Sequence, residues 1–100
     1  MHARVSTYTG EAEGLLDGFQ TATAALEDMD GFSKAYFLVD RANNKGISIT
    51  MWETEDALRA SAARADELRN AAAAPSGATI DSVEHYEIAL TASGKKAAVG

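Results

Sequence analysis

The stretch Gly46–Arg69, GISITMWETEDALRASAARADELR, decides the fold. At its start Ile47, Ile49 and Met51 alternate with Ser48, Thr50 and Trp52, so the two sets lie on opposite faces of a strand. Thr54 then offers a hydroxyl as a helix cap, and Glu55 and Asp56 place negative charge in the first turn, where the helix dipole favours it. Ala57, Leu58, Ser61, Ala62, Ala65 and Leu68 follow at helical spacing. This narrow stripe of small side chains predicts one continuous helix lying close against a sheet, stopped by Pro75 and Gly77.

Working outward, residues 3–9 alternate around Val, Thr and Tyr and predict a first strand. Glu11 to about Asp30 predicts a helix with Leu15, Leu16, Phe19, Ala22, Thr23, Leu26 and Met29 on one side and Gly31 as its stop. Gly14 and Gly18 weaken that helix, by about 1 kcal/mol each against Ala. Either they allow a neighbouring backbone to approach closely or they are tolerated there without a role. Phe32–Asp40 predicts a second strand, with Phe32, Tyr36 and Leu38 on one face and Ala35, Phe37 and Val39 on the other. RANNKG, residues 41–46, is a turn. Residues 79–90 predict a last strand, and residues 91–100 a flexible tail after a single domain at 1–90.

The order strand, helix, strand, strand, helix, strand is that of an α+β, ferredoxin-like βαββαβ fold with a four-stranded antiparallel sheet. Right-handed crossovers put both helices on one face. The strands nevertheless carry apolar residues on both faces, and a bare apolar face is unstable in water. A second copy packed sheet against sheet, as a two-fold homodimer, is therefore expected.

The 100 residues are 46% hydrophobic with one proline, which suits one folded domain. The net charge of −6 argues against nucleic acid and anionic membranes as partners. Without cysteine there is no disulfide or thiolate chemistry. No long apolar run or signal-peptide pattern is present, so the expected location is cytoplasmic. His85 and Glu87 share a strand face, but with only His2 as a further imidazole no metal site is expected. His85 reads either as a hydrogen-bonded sheet residue or as a general base.

Trp52-Glu53-Thr54-Glu55-Asp56-Ala57 is similar to the W-E-S-x-x-A junction of antibiotic-biosynthesis-monooxygenase-like proteins, the dimeric α+β barrels, and Gly31-Phe32 resembles that family's entry to its second strand. The resemblance spans roughly residues 3–90 and implies the same fold and dimer. It implies, as the leading activity, cofactor-independent oxygenation of a small aromatic or polyketide-like phenol in a pocket between sheet and helices. The alternative is a non-catalytic small-molecule-binding or stress-type accessory barrel. Quinone-forming members use an Asn, a Trp, a Tyr and an Arg. Trp52 and Arg69 stand where the Trp and Arg fall, whereas Ser48 and Leu58 replace the Asn and Tyr. In the haem-degrading branch the helix Trp and His fall near Ser61 and Ala71, so no haem or other cofactor is expected.

The candidate catalytic residues are thus Trp52, Arg69, Tyr86 and His85, and the candidate substrate contacts are Ser48, Tyr36, Leu58 and Phe19. Arg69 would stabilise a phenolate. Trp52 would supply an aromatic wall and an N–H donor, and Tyr36 or Tyr86 a hydroxyl. Each residue also has a purely structural reading, Trp52 as a core anchor and Arg69 as a solvated surface cation.

Overall fold

The computed structural model describes residues 1–95. Its elements are β1 (His2–Thr9), α1 (Ala12–Glu27), β2 (Phe32–Asp40), β3 (Lys45–Trp52), α2 (Glu55–Ala60), α3 (Ala62–Ala73) and β4 (Thr79–Glu87), with a 3-10 turn at Ala74–Ser76 before β4. The strands form one antiparallel sheet in the order β2-β3-β1-β4. This is the expected ferredoxin-like α+β fold, with the helices on one face.

Two element ends differ from expectation by about a turn. α1 ends at Glu27 and passes into tight turns in which Met29 N–H bonds Leu26 O and Phe32 N–H bonds Met29 O, with Gly31 at φ 75° completing the reversal. β4 ends at Glu87 rather than Leu90, although Ile88 N–H still reaches Met1 O at 2.8 Å. Residues 91–95 of the expected tail carry no helix or strand, and 96–100 lie outside the described residues.

The largest difference is in the second helix, which breaks at Ser61 into α2 and α3. Thr54 caps α2 as its sequence suggests, its side chain accepting Ala57 N–H at 3.0 Å. One turn later Ser61 Oγ donates back to Leu58 O at 2.7 Å, a side-chain bond that bends helices. Arg4, on β1, adds an Nη2–H bond to the same carbonyl at 2.8 Å. The break therefore joins a local side-chain bond to one from a residue remote in sequence.

Under the helices sit two hydrophobic clusters, Tyr8–Leu15–Phe19 and Leu26–Trp52–Leu58, with Phe37 packed against both. α1 and α3 approach each other closely: a Cβ placed on Gly18 would stand 2.2 Å from Ala72 O. Gly18 therefore permits backbone contact. On the sheet's other face Ile47, Ile49 and Met51 remain half-buried, and Tyr36 and Leu38 are 48% and 46% exposed. No helix among the described residues is long and apolar enough to cross a membrane.

Candidate active site

A cavity of about 40 Å³ opens at the seam between the two clusters. Its floor is sheet: Arg4, Ser6 and Tyr8 from β1, Phe37 from β2, and Ser48 and Thr50 from β3. The register makes these neighbours, since Arg4 pairs with Thr50 and Ser6 with Ser48. Its roof is helix: Phe19, Ala22 and Leu26 from α1, and Ala65, Leu68, Arg69 and Ala72 from α3. The small residues on α3 leave the gap. At roughly 10–15 Å³ per water it holds about three or four.

The polar groups gather on the floor and one edge. Tyr8, 2% exposed, shares a 3.0 Å hydrogen bond between its hydroxyl and Ser48 Oγ. Arg69 enters from α3, its guanidinium bonded to Asp66 on the solvent side. Burial lowers the Arg69 pKa, though a guanidinium keeps its proton in proteins. Arg4 is 3% exposed and lies 5.9 Å from the centre of the Trp52 ring. Its Nε–H donates to His85 Nε2 at 3.2 Å, and Nη1–H to Ser61 Oγ at 3.1 Å. Burial, and secondly the field of Arg69, lowers the Arg4 pKa.

Ser48, Phe19 and Arg69 are thus brought together around one cavity. Trp52 is fully buried beside it rather than facing it, and its indole N–H donates to Thr50 Oγ1 at 3.0 Å. Trp52 thus bears on the cavity through its neighbours Thr50, Arg4 and Leu26. Leu58 packs with Trp52 and turns its outer edge to a separate groove of about 270 Å³. His85 also lies in that groove, behind Arg4. Partial desolvation, then the charges of Arg4, Arg69 and Arg59, lower its pKa and favour the neutral ring.

Tyr36 and Tyr86 are corrected by the register. Tyr36 pairs with Ile49, and Tyr86 with Ala3, both on the face turned away from the helices. Neither lines the cavity. A hydrogen bond from Tyr86 to Glu84, and that carboxylate's charge, raise the Tyr86 pKa further from neutrality. The hydroxyl that does reach the cavity is that of Tyr8, which the sequence reading passed over together with Arg4. The available signal was the alternation Arg4, Ser6, Tyr8 against Ala3, Val5, Thr7, which needs the register before it says which set points inward.

Together the fold and site define a ferredoxin-like α+β protein with a small, partly cationic cavity between its sheet and helices. The sequence matches the antibiotic biosynthesis monooxygenase family over residues 1–74, from β1 through α3, and the chain belongs to that family. Two uncharacterized Mycobacterium tuberculosis proteins, one from each of two strains, are 32% identical to it over 93 residues, which is 89% of this chain. The chain spans only 41% of the length of these curated relatives.

Among solved structures, a mutant of SnoaB, a cofactor-independent oxygenase from Streptomyces nogalater, superposes with a TM-score of 0.72 at 22% identity, over 90% of this chain and 94% of that one. The heme-degrader MhuD from Mycobacterium tuberculosis, with two hemes in its active site, gives 0.70 at 22% identity, over 93% and 100%. The Streptomyces coelicolor monooxygenase from ActVA-Orf6, in complex with Nanaomycin D, gives 0.67 at 16% identity, over 96% and 92%. At these identities the likeness is one of fold. Among the described residues no histidine, cysteine or carboxylate lines this cavity, and Tyr8 is the one lining side chain of a type that ligates haem iron.

Proposed function

We propose that this chain is a cofactor-independent monooxygenase that oxygenates a small aromatic, phenol-like compound in the cavity between sheet and helices, working as a homodimer through its open sheet face. The observation that carries the reading is the joint presence of Arg69, the Tyr8–Ser48 hydroxyl pair and the Phe19 and Phe37 rings around one cavity. Family membership and the oxygenases among its structural neighbours support the same chemistry.

An anthrone-type substrate illustrates the step. Loss of a ring C–H proton gives an enolate, whose oxygen the Arg69 guanidinium stabilises. The proton leaves through water, since no carboxylate or imidazole among the described residues lines the cavity. The carbanion passes one electron to O₂, and the radical pair combines into a hydroperoxide. Loss of water then leaves a quinone carbonyl, so that CH₂ and O₂ become C=O and H₂O. The apolar roof excludes bulk water and strengthens the field of Arg69. A ring larger than the present cavity enters by displacing α3 from the floor.

The second reading is a non-catalytic small-molecule binder, favoured by the lack of a base in the lining. Oxygen uptake with anthrone separates the two. Consumption of one O₂ per quinone formed, falling about 10²–10³-fold in Arg69→Gln, is expected. Uptake no faster than the protein-free rate, with anthrone still raising the melting temperature, would establish the binder instead.

A further inference from the structure

Arg4 has no role in either reading so far, and its setting is unusual. Its guanidinium is nine-tenths buried or more, yet its three hydrogen-bonded partners are all neutral: the His85 ring nitrogen, the Ser61 hydroxyl and the Leu58 carbonyl. A buried charge normally meets an opposite charge, because neutral acceptors solvate it without cancelling its field. Among the described residues Arg4 has no carboxylate partner, and two of its five N–H groups find no acceptor. The one nearby charge that acts on it is Arg69, a second cation on the same cavity. The counter-charge of Arg69, Asp66, is 65% exposed and on the solvent side. The chain as a whole is acidic, at −6, so the cavity is a positive spot in a negative protein.

We infer that Arg4 and Arg69 together receive a carboxylate, and that the natural ligand is an aromatic acid carrying this permanent anion beside its ionisable hydroxyl. The inference rests on the cavity being the site proposed above, and it names the class of molecule the cavity takes. A guanidinium presents paired N–H donors that match the two oxygens of a carboxylate. A carboxylate fits the present volume of about 40 Å³, and the ring it carries is accommodated by the displacement of α3 proposed above. With that headgroup between the arginines, the ring lies against Phe19, Phe37 and Leu68. The neutral partners of Arg4 hold it in place without competing for the anion, which is the arrangement a binding cation needs.

The test is calorimetric titration of the full chain with 2-hydroxybenzoate, phenol and inorganic phosphate. Binding of 2-hydroxybenzoate roughly ten- to a hundredfold tighter than phenol is expected, the range set by a charge-assisted hydrogen bond, with the preference shrinking as salt rises. Arg4→Gln, shown folded by circular dichroism, brings the two affinities level, and Arg4→Lys keeps part of the gap. If Arg4→Gln does not fold, Arg69→Gln and the salt series on the native chain carry the comparison. Equal affinities in the native chain, or a folded Arg4→Gln with its preference intact, would overturn the inference. Phosphate binding as tightly as 2-hydroxybenzoate would overturn it too, since no aromatic part would then be read. Equal affinities alongside oxygen uptake on anthrone would sink only the carboxylate, and no binding of either aromatic probe would sink the cavity as well.

Discussion

On β3 the side chains beneath the helices are Ser48, Thr50 and Trp52, while those on the open side are Ile47, Ile49 and Met51. β1 repeats the contrast, with Arg4, Ser6 and Tyr8 beneath the helices and Ala3, Val5 and Thr7 opposite. In an ordinary one-sided sheet the apolar set faces the helices and the polar set faces water. Here much of the polar set is inside. The difference teaches that the two faces serve different ends. The hydroxyls and the guanidinium inside both hold the fold together and line the cavity, which is why the proposed chemistry is placed on the covered face. The aliphatic side chains outside suit a surface that covers them, which is why the proposed homodimer uses the open face.

That contrast can be broken from either side. The largest effect is expected from Ile49→Asp, which puts a charge at the centre of the open face, where a dry interface cannot accommodate it. Sedimentation velocity should show it as a monomer at micromolar concentration, with the native chain sedimenting as a dimer. On the covered side, Gly18→Leu forces α1 off Ala72 O and lifts the wall that α3 supplies to the cavity. Overpacking of this kind costs about 1–3 kcal/mol, read as a lower denaturant midpoint. Trp52→Phe keeps an aromatic core but removes the N–H bond to Thr50 Oγ1, at about 1 kcal/mol. It should alter oxygen uptake far less than Arg69→Gln, because the ring itself is sealed from the cavity.

The smallest effect concerns pH. The pKa of His85 is lowered in the folded chain by partial desolvation and then by Arg4, Arg69 and Arg59, so the unfolded chain binds a proton more readily. Stability therefore falls as pH drops below the unfolded imidazole value, about 6.5, and goes on falling until the folded ring also protonates. Protonation further removes the acceptor that Arg4 Nε–H uses. His85→Asn should flatten the melting temperature between neutral pH and mild acid, by a small amount because the ring is largely exposed.

Much of the fold was legible because its signals are local. The alternation from Ile47 to Trp52 and the cap at Thr54 each depend on residues close by in the chain, and each appears where the sequence places it. The break at Ser61 was not legible, since the bond from Ser61 to Leu58 O is joined there by Arg4 reaching across from the first strand. The candidate site divides on the same line. Ser48 and Arg69 share a strand-to-helix unit that the sequence already joins, and both face the cavity. Tyr36 and Tyr86 were assigned without register, and a shift of one residue is the whole difference between cavity and open face. Arg4 and Tyr8 were overlooked because a first strand read alone gives two equivalent faces.

The reading of the two faces is tested most directly by light scattering on the purified chain at micromolar concentration. The account predicts twice the mass of one chain. The mass of a single chain, with Ile47, Ile49 and Met51 left to water, would contradict it.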